Sequence, residues 1–98
     1  MARFDALRLT DGAVVLDCQA DVLRNLRTRF VVPLFPLATS RFAADRLNPL
    51  LDLPDGRYVM GTQGAGTIHV REIAGVIASL SDAESRIMNA LDMLLTGF

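Results

Sequence analysis

Residues 3–18, RFDALRLTDGAVVLDC, carry the pattern of a β-hairpin near the start of the chain. In the first half of this stretch, apolar and polar residues alternate with a period of two, which is typical of a half-buried strand. Asp11-Gly12 follows, a pair that favours a tight turn, and a second apolar run begins at Ala13. We therefore predict two antiparallel strands that are joined at Asp11-Gly12.

Short β-prone runs continue beyond this hairpin and predict a sheet over about residues 3–77. Residues 20–29 are ambiguous, and we predict a loop with one helical turn there. The run FVVPL at 30–34 is predicted as an edge or bulged strand, because Pro33 has no N–H to donate to a neighbouring strand. Further strands are predicted at residues 47–53, 57–60 and 67–70, with the glycine-rich residues 61–66 as a flexible hairpin loop.

The sequence from Ser81 onward predicts one α-helix over about residues 82–96. Ser81 and Glu84 have the spacing of a capping box, in which each side chain accepts the backbone N–H of the other residue. Gly97 is predicted to end the helix. Apolar residues recur at helical spacing and form a stripe that widens to a second face: Ile87, Leu91, Leu94 and Phe98, with Met88 and Leu95.

The fold class that follows is mainly β with one C-terminal α-helix, in a single domain over residues 1–98. With ten basic and eleven acidic residues and a net charge of −1, the chain lacks the basic surface of a nucleic-acid-binding protein. Apolar residues make up 51% of the chain, which is more than a small monomer easily hides and indicates a subunit interface. We expect a soluble, cytoplasmic protein, because neither a signal peptide nor a membrane-spanning apolar run is recognisable.

The residues that could carry catalysis or bind metal are few and isolated. His69 is the only histidine, and we predict an outward-facing strand residue rather than a metal ligand. Cys18 is the only cysteine, so it forms no internal disulfide and is predicted to be a small buried apolar residue. Residues 61–66 lack the Gly-Lys-Ser/Thr of a phosphate-binding loop. We therefore predict a protein that binds other proteins and has no catalytic residues, metal or cofactor.

Two features indicate binding surfaces for partner proteins. Arg24, Arg27 and Arg29 either receive an acidic partner segment or lie on a solvated loop, and the sequence does not separate these alternatives. Phe98 lies beyond Gly97 and has no place on the core face of its own helix. A terminal aromatic residue of this kind is a good interface anchor, so the end of the helix is the predicted binding site.

Four segments together carry a family resemblance. They are DCQADVL at residues 17–23, RFVVPL at 29–34, the region of Thr62, and residues 81–98. In this order and spacing they resemble the CcdB toxins of bacterial toxin–antitoxin pairs over nearly the whole chain. The resemblance implies a twisted antiparallel sheet, SH3-like and partly barrelled as in CcdB- and MazF-like toxins, with a long C-terminal helix. It also implies a homodimer.

The function implied by this resemblance is the poisoning of DNA gyrase. Toxins of the family insert their paired helix ends into the gyrase A subunit and trap the enzyme on cleaved DNA, and a small antitoxin with a disordered C-terminal segment neutralises them. Arg24, Arg27 and Arg29 are the residues that we expect to bind such an antitoxin. The implied gyrase contacts of this chain are Val22, Leu23, Asp92, Thr96, Gly97 and Phe98.

This chain departs from the family pattern at the end of the helix. The family typically ends in Trp-Gly-Ile and has an Asn in the last turns of the helix, whereas this chain has Thr96-Gly97-Phe98 and Asp92. An alternative function is therefore a CcdB-fold module that does not poison gyrase. Such a module would bind an antitoxin for autoregulation or would have a different target.

Overall fold

The predicted hairpin is confirmed in the computed structural model, which describes residues 1–97. Strands β1 (Asp5–Leu9) and β2 (Val14–Asp17) are antiparallel. Gly12 has a φ of 90°, a left-handed conformation that glycine adopts without steric cost. Both faces of β1 are buried, however, and Arg8 is its one exposed residue. The strand is therefore not half-buried as its alternation predicted, because the sheet curls and covers its second face as well.

Strand β3 (Thr28–Pro36) is a central strand, so the prediction of an edge strand at residues 30–34 was wrong. One side of β3 pairs with β2, and the other side pairs with two different strands, one after the other. On this second side the carbonyl of Pro33 accepts the Gly61 N–H at 2.8 Å. The nitrogen of Pro33 consequently faces the gap between the two partner strands, where no ladder bond requires an N–H.

Four further strands complete the antiparallel sheet, which curls into a half-barrel: β4 (Leu50–Leu53), β5 (Gly56–Met60), β6 (Gly66–His69) and β7 (Ile73–Ser79). The order across the sheet is β4-β5-β3-β2-β1-β7, and β6 pairs with the N-terminal half of β3. The predicted fold class, mainly β with one C-terminal helix, is confirmed.

The glycine-rich residues 61–66 are not the predicted hairpin loop, because β5 and β6 both pair with β3 and not with each other. A short 3₁₀ turn, Thr62–Gly64, connects the two strands. Thr62 is fully buried, and its hydroxyl donates to the carbonyl of Leu47 at 2.5 Å. The hydroxyl fixes this connection to a distant part of the chain, which a flexible loop would not allow.

Helix α1 (Glu84–Thr96) agrees with the predicted helix except at its start. A 3₁₀ turn, Ser81–Ala83, precedes it, so α1 begins at Glu84 itself and the predicted capping box does not form. Gly97 ends the helix as predicted: its φ is 79°, and its N–H donates to the Met93 carbonyl at 2.9 Å. Phe98 lies outside the described residues. Within residues 1–97, no helix is long and apolar enough to cross a membrane.

The curled sheet has two apolar cores, one on each face. The larger core lies between the sheet and α1 and includes Leu16 and Val32 from the sheet and Ile87 from the helix. The smaller core lies on the opposite face and is formed by Leu7, Leu9, Val15 and Val31. Neighbouring residues of one strand enter different cores because side chains alternate across a strand. This arrangement explains why β1, β2 and β3 are buried on both faces.

Candidate functional site

The first predicted binding element is the loop between β2 and β3. It begins with a 3₁₀ turn, Asp21–Leu23, and exposes three apolar side chains: Val22 is 84% exposed, Leu23 48% and Leu26 50%. Residues 20–27 are thus a loop with one helical turn, as predicted. Exposed apolar side chains that lie together on a loop are typical of a contact surface for another protein.

The second predicted binding element is the C-terminal part of α1. Ile87 and Leu91 face the core, whereas Leu94 and Leu95, near the end of the helix, are 40% and 76% exposed. The apolar stripe of the helix is therefore covered by the core near its middle and exposed near its C-terminal end. Of the predicted gyrase contacts here, the structure places Asp92, Thr96 and Gly97 in exposed positions. The Thr96 hydroxyl donates to the Asp92 carbonyl at 2.6 Å, one helical turn earlier.

Arg3 lies between the loop from β2 to β3 and the first half of α1. Its backbone N–H donates to Asp21 Oδ1 at 2.8 Å, and its guanidinium Nε donates to the carbonyl of Cys18 at 3.3 Å. The same guanidinium reaches α1, where Nη2 lies 3.5 Å from Met88 Sδ. The loop and the helix are therefore neighbours on either side of Arg3. Sequence reasoning missed this residue, because it lies far from both elements along the chain.

The three arginines predicted to bind an antitoxin do not share one environment. Arg24 and Arg27 are exposed on the loop. Arg29 lies in β3 with no exposed surface, and its guanidinium donates to Asp17 Oδ2 through Nε at 3.0 Å and Nη2 at 2.5 Å. The prediction that Arg29 lies on the loop with the other two was therefore wrong. A buried, ion-paired guanidinium is not available to a partner on this surface.

Cys18 and His69 both contribute to the structure of the fold: Cys18 is buried, and His69 caps a turn. Burial, together with the neighbouring Asp17 carboxylate, raises the pKa of the Cys18 thiol to about 12, so the thiol stays protonated at neutral pH. His69 lies at the end of β6, where its Nδ1 accepts the Arg71 N–H at 3.1 Å. The Glu72 carboxylate accepts the His69 N–H at 2.8 Å, which completes a cap on the following 3₁₀ turn. Among the described residues, no three His, Cys, Asp or Glu side chains are close enough to share a metal ion.

A groove that the sequence did not indicate lies beyond the C-terminal end of β3. It has a volume of about 360 Å³ and is lined by Phe35, Phe42 and Arg41 among others. The two phenylalanine rings have centroids 5.8 Å apart. In the sequence, this groove corresponds to the long segment between β3 and β4, in which Phe42 packs against Phe35 at the end of β3. None of the predicted site residues lines it.

Solved structures of small bacterial toxins have the same curled sheet and C-terminal helix. One is described as an endoribonuclease in complex with its cognate antitoxin from a mycobacterial species; it matches with a TM-score of 0.78 and 18% identity, covering 97% of this chain and 94% of that chain. A second is the Mycobacterium tuberculosis toxin MazF-mt6, with a TM-score of 0.73 and 20% identity over 92% of this chain and 93% of that chain. A third, described as an Mtb toxin, matches with a TM-score of 0.72 and 19% identity, covering 88% of this chain and 94% of that chain.

The molecule thus shares its fold with MazF-like toxins. The sequence itself is more specific, because the model of the CcdB protein family matches residues 3–97. The chain belongs to the CcdB family of toxins, as its sequence resemblance indicated.

Proposed function

We propose that this chain is the toxin of a toxin–antitoxin pair and that it binds the DNA gyrase A subunit, trapping the gyrase–DNA cleavage complex. The observation that carries the proposal is the exposure of Val22 and Leu23, 84% and 48%, at the positions that match the gyrase-binding loop of the family. Covering such exposed apolar side chains with a partner removes them from water, which lowers the free energy of the complex.

The proposed mechanism is binding without catalysis. The loop offers Val22 and Leu23 to a partner, and the C-terminal part of α1 offers Leu95. Arg3 lies between the loop and the first half of the same helix, where it contacts Met88. Apolar burial of this kind is non-directional, so we expect the polar surface around it to set the specificity. The proposed target acts on DNA, so the protein works in the bacterial cytoplasm.

The proposed assembly is a homodimer. A symmetric pair would bring two copies of the exposed helix end, each with Leu94 and Leu95, to one target. Sedimentation equilibrium tests this assembly. A mass of one chain at all concentrations would contradict it.

A DNA cleavage assay with purified gyrase tests the proposed function. Adding the wild-type protein is expected to increase the amount of cleaved DNA, and Val22→Asp is expected to abolish the increase while leaving stability within about 0.5 kcal/mol. Val76→Asp is the matched control, because Val76 is an exposed valine on β7, 53% accessible, outside both binding elements. No cleavage and no inhibition of the host's own gyrase by the wild-type protein would contradict the proposal.

A second candidate function is an antitoxin-binding module that does not poison gyrase. Two observations favour it: Asp92 places a carboxylate on the exposed helix end, and the Thr96 hydroxyl bonds to its own helix instead of facing a partner. Here we expect tight binding of a co-encoded antitoxin through Arg24 and Arg27 without growth arrest. Deleting residues 96–98 separates the candidates, because toxicity depends on these residues and antitoxin binding does not.

An RNA cleavage assay completes this comparison, because two of the structural neighbours are described as endoribonucleases. We propose that this chain is not an enzyme, so purified protein is expected to leave RNA intact at concentrations that affect gyrase. Cleavage of RNA by the wild-type protein would contradict both candidate functions.

A further inference from the structure

The loop that carries Val22 and Leu23 is tied to the sheet by one buried side chain, Gln19. Its Nε2 donates to the carbonyl of Leu23 at 2.9 Å, and its Oε1 accepts the N–H of Phe30, in β3, at 3.0 Å. Gln19 is only 8% exposed, so both hydrogen bonds are largely shielded from water. A single amide group therefore connects the exposed 3₁₀ turn to the centre of the sheet.

The buried ion pair of Asp17 and Arg29 holds the backbone of Gln19 in place. Asp17 Oδ1 accepts the backbone N–H of Gln19 at 3.1 Å, while Oδ2 binds Arg29. The guanidinium of Arg29 extends this support to the far side of the loop, where Nη1 donates to the Arg24 carbonyl at 3.3 Å. The residues just before and just after the 3₁₀ turn are thus bonded to the same buried ion pair.

A second tie fixes the opposite side of the loop, where Asp21 Oδ1 accepts the Arg3 N–H. The chain at Arg3 is held by an unusual conformation of the next residue, because Phe4 has a φ of 69°. A bulky residue rarely adopts this left-handed region, and such strain persists only where the surrounding contacts enforce it. Phe4 is enforced by burial and by its N–H, which donates to the Asp17 carbonyl at 2.6 Å.

Hydrogen bonds of this kind restrict the motion of an exposed apolar loop. Surface loops are mobile, and apolar side chains on a mobile loop turn toward the protein surface for much of the time. The apparent affinity for a partner then falls by the fraction of molecules in the binding-competent conformation. A loop that is fixed before binding avoids this loss.

We propose that Gln19 and Asp21 are positioning residues that hold Val22 and Leu23 in the conformation that binds the target. The inference rests on the proposed function in one respect, since it takes gyrase as the target that the loop meets. The fixed conformation of the loop itself is independent of the identity of the target.

Two substitutions at Asp21 provide a sharp test, because this residue is exposed and contributes little to the core. Asp21→Ala removes the oxygen that accepts the Arg3 N–H, whereas Asp21→Asn keeps an oxygen at that position. We expect Asp21→Ala to slow association with the gyrase A subunit about tenfold, as for a loop that is competent in about one molecule in ten. Dissociation is expected to change little, and Asp21→Asn is expected to restore fast association.

Gln19 is tested with Gln19→Glu, which keeps an acceptor for the Phe30 N–H and loses the donor to the Leu23 carbonyl. The expected effect is again slower association with nearly unchanged dissociation. Val59→Ala, a truncation of a fully buried residue in β5 away from the loop, is the control for a general loss of stability. It is expected to lower the melting temperature without changing the association rate of the folded protein.

Hydrogen exchange provides a measurement that does not involve gyrase. The N–H of Leu23 donates to the Ala20 carbonyl at 2.9 Å, and we expect this amide to exchange faster in both Asp21→Ala and Gln19→Glu than in the wild type. Unchanged exchange in both variants would overturn the inference, whatever the target. Failure of the wild-type protein to bind gyrase, with faster exchange in both variants, would instead contradict the proposed function alone.

Discussion

The Nη2 atom of Arg29 lies 2.5 Å from Asp17 Oδ2, and neither side chain has any exposed surface. A buried ion pair contributes little net stability, because removing two charges from water offsets most of their attraction. Losing one partner is different, since the remaining charge is then buried alone. The pair also holds the residues on both sides of the 3₁₀ turn Asp21–Leu23, so its effect extends to the proposed site.

We predict that Arg29→Met lowers the free energy of unfolding by about 3–5 kcal/mol, because Asp17 is left as an unpaired buried carboxylate. Urea denaturation followed by circular dichroism measures this change. The double variant Asp17→Leu with Arg29→Met removes both charges and is expected to recover part of the loss. A double variant no more stable than the single one would show that the hydrogen bonds, rather than the unpaired charge, dominate.

Arg57→Ala is the matched control for this prediction. Arg57 also pairs with a carboxylate, Asp52, at 3.3 Å, but the two side chains are 66% and 80% exposed. Exposed pairs contribute about 0–1 kcal/mol, so this substitution is expected to have a small effect. A loss equal to that of Arg29→Met would contradict the assignment of the large effect to burial.

Local sequence signals predicted the elements of this fold better than their arrangement. Asp11-Gly12 between two apolar runs indicated the hairpin, and the spacing of Ile87, Leu91 and Leu94 indicated the helix, because turn geometry and helical periodicity depend on neighbouring residues. The central position of β3 was not predictable from Pro33. A proline excludes one hydrogen bond, and the sequence does not show that two partner strands leave a gap at that bond.

The loop between β2 and β3 was predicted only in part, because its contacts also depend on residues that are distant in the sequence. Val22 and Leu23 were assigned by family resemblance, and their exposure is consistent with that assignment. Arg29 was placed with Arg24 and Arg27 because they are close in sequence, whereas strand register carries it to Asp17. The role of Gln19 depends on its contact with Phe30 across the sheet, and a single glutamine has no periodic signal that would reveal such a contact.

We predict that stability falls above about pH 9 because of Cys18. Its pKa rises from the ordinary value of 9.0 to about 12 in the folded protein, chiefly through burial. Below pH 9 both states keep the proton, and the stability is fully present. Between pH 9 and about 12 the unfolded chain loses the proton first, so the free energy of unfolding falls by up to about 1.4 kcal/mol per pH unit.

Urea denaturation at pH 8 and pH 10 measures this effect, with Cys18→Ala as the control that removes the thiol and keeps the other titrating groups. The difference between the two proteins is expected to shrink as the pH rises. The folded wild type is also expected to react slowly with thiol reagents at neutral pH. Rapid labelling of the folded protein would contradict the burial of this thiol.

We predict that Gly97→Ala destabilises the end of α1 by about 1 kcal/mol, since its φ of 79° is unfavourable for any residue with a Cβ. An added Cβ meets no atom within 4 Å, so the cost comes from the backbone alone. Gly75→Ala is the control, because that position is equally open and has no positive φ. Helicity measured by circular dichroism should fall in Gly97→Ala and stay constant in Gly75→Ala.

The departure from the family pattern at Asp92 leads to a prediction of a gain: a substitution here is expected to strengthen binding. Asp92 is an exposed carboxylate in the C-terminal half of α1, and binding at the helix end would remove it from water without a partner among the described residues. Leaving a buried polar group unsatisfied costs about 1–3 kcal/mol, and more for a charge. We therefore expect Asp92→Asn to bind the gyrase A subunit about tenfold more tightly.

Surface plasmon resonance with the immobilised gyrase A subunit measures this gain. Asp82→Asn provides the control, because it makes the same change in net charge at the opposite end of the helical segment. Tighter binding in both variants would indicate general charge repulsion between the two proteins rather than a contact at the helix end. If Asp92→Asn leaves the affinity unchanged, Asp92 lies outside the interface, and Val22 and Leu23 must supply the contact without the last turns of α1.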